Sequence, residues 1–137
     1  MSKMENAFLK GRIILIVEDD LSSQLYLNKI LEKTGALLLN AGDGQEAIDI
    51  VKRYPEIDIV LMDIQLPVMD GYQATEEIRK IKKEIIIIAQ TAYGLLSDRE
   101  KYSDSGFDDY IIKPIMSQVL IEKMVLNLKQ KGSLKNI

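Results

Sequence analysis

The sequence predicts an α/β domain built on a doubly wound, five-stranded parallel sheet. Three observations lead there. Five short runs rich in Ile, Val and Leu alternate with segments whose apolar residues recur at helical spacing. The connections are short, so consecutive strands are joined by helical crossovers, which in parallel sheets are right-handed. The runs also end in chemistry: Glu18-Asp19 follows the first, Asp63 the third and Lys113 the fifth. Open α/β sheets collect ligands at the carboxyl ends of their strands.

Strand one spans 13–17. The first helix, 21–33, places Leu27, Ile30, Leu31 and Thr34 at helical spacing and stops at Gly35. Strand two is 36–40. Asp43 caps a second helix carrying Ala47, Ile48 and Val51, which ends near Tyr54-Pro55. Strand three, 57–62, runs into Asp63 and a turn-rich loop, Ile64-Gln65-Leu66-Pro67-Val68-Met69-Asp70-Gly71. The third helix, near 72–82, aligns Ala74, Ile78 and Ile81. Strand four, 85–89, is apolar throughout, as a strand covered on both faces must be. Ser97-Asp98-Arg99-Glu100 has the capping-box pattern of a fourth helix ending at Gly106. Strand five lies in 107–112. The fifth helix, 117–129, brings the broad apolar set Val119, Leu120, Ile121, Met124, Val125 and Leu128. Five such units imply the flavodoxin-like (βα)5 strand order 2-1-3-4-5.

Composition narrows the chemistry. The 137 residues make one ordinary domain, and 47% apolar with 28% charged content is that of a soluble globular chain. No apolar run approaches the roughly 20 residues of a membrane span, and the first residues lack the layout of a secretory signal. A net charge of -3 argues against direct nucleic-acid binding. There is no cysteine, which removes disulfides and thiolate chemistry, and no histidine, which removes Ser-His-Asp triads and imidazole ligands. Carboxylate, hydroxyl, lysine and metal remain.

In the expected strand order, Glu18, Asp19, Asp63, Thr91 and Lys113 come to one edge. Three crowded carboxylates require a counter-charge, and an octahedral, oxygen-preferring cation such as Mg²⁺ (or Mn²⁺) suits them. Lys113 adds a fixed positive charge and Thr91 a hydroxyl donor. A carboxylate nucleophile, a metal, a lysine and a hydroxyl are the minimal kit for accepting a phosphoryl group.

Four stretches, in order at strand ends, resemble the receiver (response-regulator phosphoacceptor) domains of two-component signalling. They are Ile13-Ile14-Leu15-Ile16-Val17-Glu18-Asp19-Asp20, Val60-Leu61-Met62-Asp63 with the loop to Gly71, Gln90-Thr91-Ala92, and Asp109-Tyr110-Ile111-Ile112-Lys113-Pro114. The resemblance implies a receiver domain over 12–130, with tails at 1–11 and 131–137. It implies that Asp63 is the phosphorylated aspartate and that Glu18 and Asp19 hold Mg²⁺ together with Asp63 and the backbone carbonyl of Gln65. By the same resemblance Thr91 bonds the phosphoryl group and moves toward it, Tyr110 is the aromatic switch, Lys113 bonds the phosphoryl oxygens, and the Lys113-Pro114 peptide is cis. Asp20 falls one position past the acidic pair and is not expected to be a ligand.

The implied partners are a sensor histidine kinase or a histidine phosphotransfer protein, an unidentified downstream partner, and a dimer that phosphorylation can promote. The implied output surface comprises the fourth helix, strand five and the fifth helix, and the implied compartment is the cytoplasm. Glu84 stands where many relatives have proline before strand four, Gln90 replaces a more usual apolar residue, and Tyr93 borders the site. Gln90-Thr91-Ala92-Tyr93 and Asp98-Arg99-Glu100-Lys101 look most like receivers attached to hybrid sensor kinases. No output module is visible in the sequence, so a stand-alone receiver and a piece of a larger protein both remain open.

Blander readings exist for each residue alone. Asp63 could be a turn residue, Glu18-Asp19-Asp20 helix capping, Thr91 a satisfied loop hydroxyl, Lys113 a solvated lysine and Tyr110 a half-buried strand aromatic. Their joint placement favours the site. Two other functions compete. A phosphohydrolase using an aspartyl-phosphate needs an acid two residues after the nucleophile, and that position is Gln65. A flavodoxin needs a phosphate-cradling first loop, and Glu18-Asp19-Asp20 would repel phosphate.

Overall fold

The computed structural model describes residues 8–92 and 106–131. Its elements are β1 (Ile13–Val17), α1 (Leu21–Glu32), β2 (Leu37–Ala41), α2 (Gly44–Arg53), β3 (Ile59–Asp63), α3 (Gly71–Ile81), β4 (Ile86–Thr91), β5 (Asp109–Ile112) and the C-terminal helix α4 (Ser117–Gln130). The five strands form one parallel sheet in the order β2-β1-β3-β4-β5, the order the sequence predicts. Tyr93 and the predicted fourth helix that the Ser97-Asp98-Arg99-Glu100 pattern opens lie outside the described residues.

Side chains alternate across a strand, and that alternation splits the core in two. Ile14, Ile16, Ile59, Leu61, Ile86, Ile88 and Ile111 face α1 and α4, packing with Leu27, Leu31, Leu120, Met124 and Leu128. Leu15, Val17, Val60, Met62 and Ile87 face α2 and α3, packing with Ala47, Ile48, Val51, Ala74 and Ile78. β3 and β4 are buried along their whole length, which is why they read as apolar runs up to the polar residues at their carboxyl ends, Asp63 in β3 and Gln90 and Thr91 in β4.

Caps fix where the helices begin. Asp20 accepts hydrogen bonds from the Ser23 amide and hydroxyl, both at 2.9 Å, and so starts α1 directly after β1. Asp43 does the same for α2 through the Glu46 amide. Asp70 and Gln73 form a reciprocal capping box at the start of α3. Gly35, at φ +85, turns the chain out of α1 in a conformation that costs a residue with a Cβ.

Residues 8–11 belong to the packed structure rather than to a free tail. Leu9 is fully buried in the α1/α4 side of the core, and its amide bonds the Thr34 carbonyl at 3.1 Å. Burying a leucine is worth about 2 kcal/mol. At the sheet edge opposite the carboxylates, the Arg79 guanidinium on α3 donates to the carbonyls of Lys83, Ile85 and Gly106 and pairs with Asp108 at 2.6 Å. Asp108 also receives the Ile87 amide and Lys131. This clasp sets the entry of β5, the edge strand, against β4.

Candidate functional site

Strand register brings the site together. Val17 pairs with Met62 and Met62 with Ala89, so Glu18 and Asp63 each stand one residue further on, at the same height. Asp63 is the last residue of β3 and pairs with Gln90 of β4. Thr91 ends β4 beside Ile112, and its carbonyl accepts the Lys113 amide at 2.7 Å, which carries Lys113 over the same edge. The Lys113–Pro114 peptide is cis.

Asp63 is 4% exposed and each of its oxygens accepts a hydrogen bond. Oδ1 accepts the Gln65 amide at 3.0 Å and Oδ2 accepts Lys113 Nζ at 3.0 Å. Lys113 Nζ also stands 3.7 Å from Glu18 Oε1. Glu18 is 2% exposed; its Oε2 accepts the Asp20 amide at 3.1 Å, while Oε1 has no hydrogen-bond donor. Asp19 is exposed at the rim.

The charges perturb one another. Burial pushes the Glu18 carboxyl above its ordinary 4.5; the Asp20 amide opposes the rise, Asp63 adds to it and Lys113 again opposes it. For Lys113, burial alone would disfavour the ammonium. The hydrogen bond to Asp63 and the charges of Asp63, Glu18 and Asp19 outweigh burial, so its pKa lies above the ordinary 10.5. Asp20 is held below its ordinary value by the two Ser23 donors, the signature of a helix cap.

One carboxylate oxygen from each of Glu18, Asp19 and Asp63 can be chosen so that all three lie within 4.8 Å of one another. This set of hard oxygens, from a cluster in which Glu18 also carries the donorless Oε1, fits a small divalent cation such as Mg²⁺. Gln65, two residues after Asp63, presents an amide where an aspartyl-phosphate hydrolase needs an acid, and its backbone N–H is turned to Asp63.

Three features carry little sequence signal. Gly71 opens α3 against the back of the site: a Cβ there would stand 2.6 Å from the Asp63 carbonyl oxygen and 2.9 Å from Ile64 Cα. In the sequence it reads only as half of an Asp-Gly turn. Gln90 is fully buried in β4, with Nε2 3.4 Å from the Val17 carbonyl and Oε1 unpartnered. Its one visible sign is a polar side chain at the end of an apolar run. Tyr110 is half-buried on β5, and Lys123 Nζ of α4 lies 5.5 Å from its ring centroid.

The fold is thus a doubly wound α/β domain whose strand ends bring acidic groups from β1 and β3 together with a lysine after β5. Residues 14–125 match the family model of the response regulator receiver domain, and the chain belongs to that family. It is 38% identical over 117 residues to hybrid signal transduction histidine kinase I of Dictyostelium discoideum, covering 80% of this chain but 7% of that kinase. Among solved structures it resembles the receiver domain of sensor histidine kinase PA1611 from Pseudomonas aeruginosa PAO1, which has a magnesium ion coordinated in its active-site cleft. Identity there is 35%, the TM-score is 0.77, and 89% of this chain and 98% of that one are covered. It also resembles the receiver domain of a Saccharomyces cerevisiae response regulator crystallised with its histidine phosphotransfer protein. The values are 33% identity, TM-score 0.78, and coverage of 85% and 88%. The protein is therefore a receiver domain of two-component phosphorelay signalling. No helix among the described residues is long and apolar enough to cross a membrane.

Proposed function

We propose that Asp63 takes a phosphoryl group from the phosphohistidine of a sensor histidine kinase or a histidine phosphotransfer protein. The observation that carries this reading is the convergence of Lys113 Nζ on Asp63 Oδ2 at 3.0 Å beside the Glu18–Asp19–Asp63 cluster. In the transfer, an Asp63 carboxylate oxygen bonds phosphorus as the phosphorus–nitrogen bond breaks, and the imidazole nitrogen keeps the electron pair. Glu18, Asp19, Asp63 and the Gln65 carbonyl are the groups that would hold Mg²⁺ or Mn²⁺. That cation supplies charge neutralisation for the phosphoryl oxygens.

Lys113 would exchange part of its contact with Asp63 for one with a phosphoryl oxygen. Thr91, 5% exposed at the end of β4, supplies the hydroxyl that reaches the same group. Both contacts exist only in the phosphorylated state, so they bias an equilibrium between two conformations. Tyr110 follows Thr91, and the face that includes β5 and α4 changes its partners. That face includes the exposed apolar side chains of Ile112, Val119 and Leu126. It is the surface through which a downstream partner, or a second phosphorylated copy, is recognised. The setting is a cytoplasmic one, where kinase-derived phosphoryl groups are available, and the domain extends over 12–130 with the 8–11 segment packed onto it.

The test is labelling with acetyl phosphate. Asp63 is expected to be phosphorylated in Mg²⁺ or Mn²⁺ and not in excess chelator, and Asp63→Asn is expected to abolish labelling. Equal labelling in chelator would remove the metal assignment; labelling of Asp63→Asn would place the acceptor elsewhere.

A further inference from the structure

Asp109 begins β5, the edge strand of the sheet, and its side chain turns toward α4. There it meets two residues one helical turn apart. Asn127 Nδ2 donates to Asp109 Oδ2 at 2.9 Å and Lys123 Nζ pairs with Oδ1 at 3.2 Å. Oδ1 also accepts the Tyr110 amide at 2.8 Å. Asn127 is 4% exposed, and its amide donates as well to the Lys123 carbonyl at 2.7 Å. Asp109 is thus a clamp with several donors, and Lys123 is the member that also stands near the Tyr110 ring.

Alternation along β5 puts Ile111 with Asp109 on the α4 side and Tyr110 on the opposite side. A lysine held only by Asp109 would have no reason to approach Tyr110. β5 is the last strand of the sheet among the described residues, and Lys123 Nζ lies 5.5 Å from the Tyr110 ring centroid while still paired with Asp109. An ammonium at that distance is attracted by the ring's negative face. Its carboxylate partner fixes where the ammonium sits, so the contact favours the ring placement seen next to it.

We propose that Lys123, clamped by Asp109 and Asn127, is a positioning residue that holds the Tyr110 ring in its resting orientation and thereby sets how readily the switch is thrown. The inference rests on the reading of Tyr110 as the switch and adds an element that opposes its movement. Reorienting the ring forfeits the cation–π contact, so the phosphoryl contacts at Thr91 and Lys113 must outweigh it. Loss of Lys123 lowers that threshold without touching the acceptor site.

The experiment is fluorine NMR on protein carrying fluorotyrosine at its six tyrosines, with Tyr110→Phe identifying the Tyr110 resonance. Beryllium fluoride with Mg²⁺, a mimic of the phosphoryl group, is titrated in while the melting temperature reports binding independently. In Lys123→Met the Tyr110 resonance is expected to move before any addition, and the midpoint of its response to fall about two- to fivefold, the range of a partly exposed cation–π contact. Lys123→Arg restores both. Asp109→Asn, which leaves the lysine but loosens its clamp, moves the resonance in the same direction by less. A Tyr110 resonance unmoved in Lys123→Met, or one that moves while the midpoint stays at the wild-type value, overturns the proposal. If beryllium fluoride raises the wild-type melting temperature yet leaves Tyr110 unmoved, the switch reading itself fails and the proposal falls with it.

Discussion

Gly71 backs onto Asp63 so closely that a single added carbon would lie 2.6 Å from the Asp63 carbonyl oxygen. The start of α3 and the end of β3 are therefore one rigid unit. The Gly71 amide ties it further by donating to the Ile64 carbonyl at 3.0 Å.

Gly71→Ala should consequently damage the site through the backbone. Alanine gains about 1 kcal/mol of helix propensity, but displacing packed backbone costs about 1–3 kcal/mol. The expected result is a net loss of stability in urea melts and weaker Mg²⁺ binding. Gly42→Ala is the control, because a Cβ there meets nothing within 4 Å. If both variants melt alike and bind Mg²⁺ alike, the close approach does not govern the site.

Lys113→Met tests the counter-charge. The variant leaves Asp63 Oδ2 and Glu18 Oε1 without the ammonium that stands 3.0 and 3.7 Å away. The lysine is about a third exposed, so solvent screens the pair and the expected loss in metal-free protein is only about 1 kcal/mol. The carboxylates then hold a cation more tightly, so Mg²⁺ should stabilise the variant by more than it stabilises wild type. Response of Tyr110 to beryllium fluoride should be lost or badly weakened. Equal Mg²⁺ stabilisation in both proteins would mean the lysine and the metal ligands do not share one field.

Most of the sheet is legible in the sequence because buried parallel strands have to be apolar. The limits shift where the ladder ignores that rule. β3 continues through Asp63 and β4 through Gln90 and Thr91, since backbone pairing does not depend on side-chain polarity. Asp58, read as part of strand three, instead precedes it and accepts the Ile13 amide at 2.9 Å. The acidic pair, Asp63, Thr91 and Lys113 are legible because each ends an apolar run. Leu9 is not, because one apolar residue in a polar stretch has no period. Lys123 is not, because a lysine on a helix reads as solvated until the edge strand beside it is known.

Val68 is the one described non-glycine residue with positive φ, at +68, and its side chain is 88% exposed. A β-branched residue in the left-handed region is strained by about 1–2 kcal/mol, and its exposure means little packing offsets that. Val68→Asn should raise the midpoint of a urea melt, by about 1 kcal/mol in stability, with metal-dependent labelling of Asp63 retained. A fall in stability would show that the loop from Gln65 to Met69 depends on this valine.

The pH dependence of the metal-free protein follows from Glu18. Its folded pKa is raised above the ordinary 4.5, chiefly by burial, so the folded state binds its proton more tightly than the unfolded chain does. Below pH 4.5 both states are protonated and the side chain's contribution is fully present. As pH rises from there through the folded pKa, that contribution is lost, because the folded protein must then hold a buried carboxylate beside Asp63. Glu18→Gln keeps the shape and removes the titration. The variant should match wild type near pH 4.5 and exceed it at neutral pH without metal, by about 1 kcal/mol. Mg²⁺ should reverse the order at neutral pH, since only wild type has the full ligand set to bind it. Urea melts at several pH values, with Mg²⁺ and with chelator, measure all of this. A constant gap between the two proteins across the pH range would show that Glu18 does not titrate with a raised pKa. A variant that gains as much from Mg²⁺ as wild type would remove Glu18 from the cation site.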